Sequence, residues 1–260
     1  MYTSSRRTVH DRAVALSLDS VGPLPARLAS VLTSPSLATI LHAMKALIIT
    51  GGESPPPGFL KTLALSADFV IAADSGYDTA LAAGIDPDLV VGDFDSLSDR
   101  EMLSGLPEGK VLGYPRDKDD TDTEIALKAA KERGAAILAI AGGGGGRLDH
   151  LVAILRLFER NDHPQEWHTQ RESSFYLAAG ESAGYSASPG ALVSIFPLGE
   201  GRCGGMESRN LWWPLKGLEW ERGYFGISNK SLGERIDLKA GSVPLLVMLP
   251  LGSKLLSQQR

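Results

Sequence analysis

The chain has 260 residues, 43% hydrophobic and 22% charged, with a formal net charge of -5, a profile that suits a globular protein of one large domain or two modest ones. That acidic balance, with no basic stripe, argues against a nucleic-acid surface, and no apolar run is long enough to span a bilayer. A single cysteine, Cys203, excludes an internal disulfide and a cysteine-rich zinc site, so the expectation is a soluble cytoplasmic protein with neither nucleic acid nor membrane as partner.

Residues 1–43 mix Ser, Thr, Arg and Pro with short apolar patches and show no period. Asp11, Arg12 and Asp19 interrupt any apolar core of a secretory signal. The segment reads as an N-terminal extension, disordered or upstream of a translation start at Met44. From Lys45 the pattern becomes strand, loop, helix and strand again. Strands are expected at 46–50, 69–73, 89–91, 110–112 and 136–141, with helical stretches at 77–83, 99–103 and 121–133 between them. In the last of these, Ile125, Leu127, Ala129 and Ala130 interleave with Glu124, Lys128, Lys131 and Glu132, and Gly134 supplies the stop. A helix at 148–160 and a strand at 175–179 follow. Such alternation predicts a mostly parallel sheet covered by helices.

Beyond about Gly180 helical periodicity disappears. Short apolar runs at 191–197, 212–215, 224–227, 234–238 and 245–249 are punctuated by Pro189-Gly190, Asn229-Lys230 and Ala240-Gly241. The expected organisation is an α/β nucleotide-binding domain over 44–178, followed by a smaller all-β sandwich over 179–260.

Four patches in the first domain fall where a strand ends or a helix begins, the place where open parallel sheets bind ligands. The first is Asp74-Ser75-Gly76, after the run Val70-Ile71-Ala72-Ala73. Next comes Gly92-Asp93-Phe94-Asp95-Ser96, where continued strand geometry would point both carboxylates to one side. At about 4 Å they would repel by about 4 kcal/mol at an effective dielectric near 20, a cost that a hard cation such as Mg²⁺ removes; a solvated Asp-rich turn is the competing reading. The third patch, Lys118-Asp119-Asp120-Thr121-Asp122-Thr123-Glu124, suits a capping box from Thr121 to Glu124, but capping leaves the other aspartates unexplained. The fourth, Gly142 to Gly146 and then Arg147-Leu148-Asp149-His150, reads either as a linker or as a loop whose N–H groups approach a phosphate. It lacks the Lys-Ser/Thr ending of the common phosphate loop.

In this order the four patches, with Gly84-Ile85-Asp86-Pro87-Asp88-Leu89-Val90-Val91 leading into the second, resemble the thiamine pyrophosphokinases. The resemblance runs from about Met44 to the C-terminus. It implies a homodimer in which an α/β domain and a β-sandwich carry out Mg²⁺-dependent transfer of the ATP diphosphate to the thiamine hydroxyl, releasing AMP. It places catalysis on Asp93, Asp95, Asp122 and Arg147, and metal binding on Asp93, Asp95, Asp119 and Asp122. Binding of ATP falls to Asp74, Ser75, Gly76, Ser96, Asp119, Thr121, Gly145, Gly146, Asp149 and His150. In the second domain Trp213 occupies the family's aromatic position, suited to stacking on a flat cation, and Ser228 and Asn229 resemble its Ser-Asn element. The chain departs from the family at Ser75, at Ile154 in place of an asparagine, and at Trp212 in place of a lysine. Two other functions fit the same residues, diphosphate transfer to a hydroxymethyl-pterin and non-catalytic sensing of a nucleotide or thiamine.

Overall fold

The computed structural model describes residues 43–259, so the extension expected at 1–43 lies outside the described residues except for its last position. The first half alternates as β1 (Lys45–Thr50), α1 (Pro57–Leu65), β2 (Phe69–Ala73), α2 (Gly76–Ala82), β3 (Leu89–Gly92), α3 (Glu101–Ser104), β4 (Val111–Gly113), α4 (Asp122–Glu132), β5 (Ile137–Ala141) and α5 (Leu148–Leu157). Strands follow: β6 (Glu166–His168), β7 (Glu172–Leu177), β8 (Ser182–Ser186), β9 (Leu192–Pro197), β10 (Glu207–Arg209), β11 (Gly226–Lys230), β12 (Arg235–Lys239), β13 (Leu245–Pro250) and β14 (Leu255–Gln259).

Alternation along β1 explains the layers. Ala46 and Ile48 face the cluster built on α4 and α5, with Ile125, Ala129, Ile154 and Leu157. Leu47 and Ile49 face the opposite cluster, with Leu60 of α1 and Ala80 of α2. Because successive strand residues point to opposite faces, a run that is apolar at every position needs cover on both. Helix α1, absent from the sequence expectation, supplies part of that cover; its signal was Pro57 at the first helical position.

The mixed α/β class is as expected, with a mostly parallel sheet in the first half and antiparallel strands in the second. One 10-stranded sheet runs β11-β9-β13-β7-β6-β5-β1-β2-β3-β4, and a 4-stranded sheet runs β10-β12-β8-β14. The large sheet is parallel from β4 to β6 and antiparallel from β6 onwards. Strand β6, also unforeseen, is the seam: it pairs with β5 on one side and β7 on the other. Phe175, Val193, Ile195 and Val247 of the large sheet pack with Tyr185, Ile236 and Leu238 of the small one.

A strand expected at 212–215 is not formed. Leu211 makes a single bridge to Ser231, and the chain then turns. Pro214 has no N–H for a ladder, and the Trp213 N–H is taken by the Asn229 side chain at 3.1 Å. The run at 224–227 also shifts: Tyr224 and Phe225 lie before β11, which begins at Gly226. Among the described residues no helix is long and apolar enough to cross a membrane.

Candidate active site

From β1 the parallel strands proceed outward to β4, and the chain then returns to place β5 on the other side of β1. The loops after β1 and β5 therefore diverge, opening a crevice at the carboxyl ends of the strands. A cavity of about 630 Å³ lies there, walled by Asp74, Ser75, Asp93, Ser96, Lys118, Thr121, Asp122, Gly145, Gly146, Arg147 and His150, among others. Its size suits a nucleotide-sized ligand.

Each carboxylate arrives by a different local device. Asp74 leaves β2 with φ 46, a left-handed conformation rarely adopted by side-chain-bearing residues. It is held there by its N–H bond to the Val91 carbonyl (2.8 Å) and by Tyr77 N–H donating to its own carbonyl (2.9 Å). Asp93 and Asp95 converge, but not by continued strand geometry. The strand ends at Gly92, Phe94 has φ 61, and the Asp95 N–H donates to Asp93 Oδ1 at 3.1 Å. The Arg100 guanidinium holds this turn by donating to the carbonyls of Phe94 and Asp93. Sequence reading missed Arg100, which carries no motif signal because it acts on the main chain. Oxygen atoms of Asp74, Asp93 and Asp95 all lie within 4.8 Å of one another.

Two cations answer part of this charge. Lys118 Nζ lies 3.3 Å from Asp93 Oδ2 and 3.1 Å from Asp122 Oδ1, and Arg116 Nε lies 3.3 Å from Asp95 Oδ2. No hydrogen bond closes on Asp122 Oδ1, although the Lys118 ammonium is in ionic contact with it; Asp74 Oδ1 is buried with no partner. Burial works against ionisation of Asp93, yet the Asp95 N–H and the Lys118 ammonium outweigh it and hold this carboxyl below its usual range. Burial prevails at Asp122, where neighbouring Asp74 and Asp93 add to it, and its affinity for a proton is raised despite Lys118. An orphaned Asp74 oxygen beside two more carboxylates fits a hard divalent cation, whose ligands are oxygen atoms and whose charge removes the mutual repulsion.

The glycine run is a tied loop rather than a linker. Glu53 N–H donates to the Gly144 carbonyl at 2.5 Å, and Gly144 N–H to the Glu53 carbonyl at 3.2 Å, so the loops after β1 and β5 are paired. A Cβ on Gly142 would lie 2.3 Å from the Thr50 carbonyl oxygen, and one on Gly143 would lie 2.2 Å from Ile154 Cδ1. Ile154 is thus the apolar floor of this loop. Thr121 caps α4 in a full capping box with Glu124, and the buried Thr123 hydroxyl meets that of Thr50 at 2.9 Å, tying α4 to the end of β1. Thr123 stands in the third patch without a role given to it there, and Thr50 belongs to none of the motifs.

Other expected residues lie apart from the wall. Asp119 is exposed, and Asp149 is exposed in a pair with Arg147 two residues before it. Gly76 is buried beneath the site, where a Cβ would lie 2.1 Å from the Ile49 carbonyl oxygen. Trp213, Ser228 and Asn229 sit at the far edge of the large sheet. Asn229 is buried and brackets Trp213, accepting from its N–H and donating to its carbonyl at 2.7 Å, while the indole is 55% exposed.

Residues 60–167 match the family described as thiamin pyrophosphokinase, catalytic domain. That segment belongs to the thiamin pyrophosphokinase family. A stretch of 88 residues, 34% of this chain, is 39% identical to a thiamine pyrophosphokinase of Bacillus subtilis (strain 168), and it spans only 41% of that relative's length. Over 80% of this chain the fold is similar to the thiamin pyrophosphokinase of Geobacillus thermodenitrificans (TM-score 0.65, 25% identity, 97% of that chain). A thiamine pyrophosphokinase structure from Bacillus subtilis gives a TM-score of 0.67 at 24% identity, covering 80% of this chain and 99% of that one.

Proposed function

We propose that the chain is a thiamine pyrophosphokinase, transferring the diphosphate of ATP to the thiamine hydroxyl with Mg²⁺ and releasing AMP. The observation that carries this reading is the unpartnered Asp74 oxygen, which converges with Asp93 and Asp95, at a cavity lined by Asp74 and Asp93 whose opposite wall is a glycine loop and a helix N-terminus. Asp74, Asp93 and Asp95, with Asp122 adjacent, would hold Mg²⁺. When bound, the ion supplies charge neutralisation across the phosphate oxygens. On the other wall, N–H groups of Gly145 and Gly146 and the Arg147 guanidinium would hold the phosphate chain in line with the attacking hydroxyl. His150 would border the nucleotide. In this reading Asp119, exposed, acts at most through the loop it belongs to.

Topology supports a homodimer. Asp93 follows β3 and Asn229 lies on β11, eight strand spacings away in one sheet; at about 4.8 Å each that is roughly 38 Å along the sheet, beyond the reach of one small acceptor. Trp213, Ser228 and Asn229 of one copy would instead face the carboxylates of the other. Around β11, an edge strand, Trp212 is 61% exposed and Tyr224 66%, with Phe225 and Ile227 exposed beside them, a concentration of aromatic surface expected of an interface. A cytoplasmic setting suits the single, buried and unpaired Cys203. The test is incubation with ATP and Mg²⁺ plus thiamine or a hydroxymethyl-pterin, with products identified by mass. Thiamine diphosphate and AMP are expected. A pterin diphosphate, or no AMP with either acceptor, would overturn the proposal.

A further inference from the structure

Lys118 is a largely enclosed cation that the proposed reaction has not used. Its side chain is only 13% exposed and forms part of the cavity wall, and its ammonium touches two carboxylates at once, Asp93 at 3.3 Å and Asp122 at 3.1 Å. The groups facing it are Asp93 from the loop after β3, Asp122 from the start of α4, and, beyond them, Asp74 from the end of β2. Arg116, the other cation of the cluster, is largely exposed and pairs with Asp95. Among the described residues Lys118 is therefore the one cation in ionic contact with Asp93 and Asp122, and it offsets only part of their charge.

That position conflicts with a divalent ion on Asp74, Asp93 and Asp95. A doubly charged ion beside the Asp93 carboxylate repels an adjacent ammonium twice as strongly as a single charge at the same distance. The ammonium rides on a flexible four-carbon stem with three donors that can be redirected, and the cavity it borders is the one expected to fill with anionic phosphate. We propose that Lys118 is an exchangeable counter-ion: it holds Asp93 and Asp122 in the metal-free protein and transfers to the nucleotide's phosphate oxygens when a divalent cation takes the carboxylates. This rests on the nucleotide-binding reading above and gives the lysine opposite effects on the two ligands. It competes with the metal when nucleotide is absent, and it recruits nucleotide when metal is present. A lysine that merely braces the loop would not separate the two.

The test uses the full chain with Lys118→Met and Lys118→Arg. Free Mn²⁺, followed by electron paramagnetic resonance without nucleotide, should bind Lys118→Met at least tenfold more tightly than wild type. Calorimetric binding of a non-hydrolysable ATP analogue with Mg²⁺ should weaken at least tenfold in the same variant. Lys118→Arg, which keeps the charge, should stay near wild type in Mn²⁺ binding. If Lys118→Met does not fold, Lys118→Gln, which can bridge both carboxylates by hydrogen bonds, carries the same measurements. Unchanged or weaker Mn²⁺ binding in the neutral variant overturns the inference, even where wild type forms thiamine diphosphate. A wild type that binds Mn²⁺ and the analogue but makes no AMP overturns the proposed reaction instead.

Discussion

At the scale of single residues, the site is made by side chains that are individually uncomfortable. Asp74 and Phe94 both hold positive φ, and Asp74 buries an unpaired oxygen; such strain costs on the order of 1–3 kcal/mol per residue and persists where its surroundings over-determine it. Asp95 is exposed, so Asp95→Asn should leave the thermal midpoint nearly unchanged. Formation of AMP should fall by at least about 100-fold, the scale of losing a charge-stabilising group; near-normal turnover would remove Asp95 from the metal site. A second residue-scale prediction concerns Glu166, away from the site. Burial works against its ionisation, but the His168 imidazole and the Lys45 ammonium, the latter at 2.8 Å, hold its carboxyl down at about 2. As a carboxylate cannot donate, His168 Nε2 carries the proton in this bond, while Nδ1 lies 3.0 Å from the Ser173 hydroxyl. A depressed carboxyl contributes stability that is full above its unfolded value near 4.5 and is lost as pH falls towards about 2. Denaturant titrations between pH 5 and pH 2 should show this loss in wild type and a flatter profile in Glu166→Gln.

At the scale of elements, close approach of backbones decides what is allowed. Helix α2 starts against the end of β1 because Gly76 has no side chain. Gly76→Ala should force these elements apart at a cost of about 1–3 kcal/mol, lowering the midpoint by several degrees in a calorimetric scan; an unchanged midpoint would show that α2 yields freely. The same scale shows what could be read in the sequence. The apolar runs of β1, β2, β3 and β5 were legible because strands buried on both faces are continuously apolar, and α4 was legible because its period and its cap agreed. The convergence of Asp93 with Asp95 was legible in outcome but not in cause. Spacing suggested a strand, whereas the turn depends on Arg100, which reaches back six and seven residues to main-chain carbonyls in a contact that no period encodes. Asp74 was read as a nucleotide contact because its nearness to Asp93 arises from the pairing of β2 with β3, and sequence alone does not report which strands are neighbours. Strand β6 was too short for periodicity, and the run at 212–215 misled because apolarity was counted without weighing Pro214.

For the whole molecule, the separation of Trp213 from the carboxylates makes a quantitative expectation. If each site draws carboxylates from one copy and the aromatic platform from the other, Asp95→Asn and Trp213→Ala chains are each inactive alone. Mixed after dissociation, they should recover about a quarter of wild-type turnover, since half the dimers are mixed and each mixed dimer has one intact site. A mixture that stays as inactive as its components would place both sets of residues in one chain.

The seam at β6 also bears on how the molecule is made. Strand β7 follows β6 at once and pairs with it, but its other neighbour is β13, which begins only at Leu245, and β9 waits for the same strand. Pairings so distant in sequence form late and slowly. During synthesis the centre of the finished sheet is therefore an open edge, apolar and unpaired, until β13 has emerged. A sheet that is fully paired at its centre once complete is, until β13 arrives, a part of the chain in need of shelter from its neighbours.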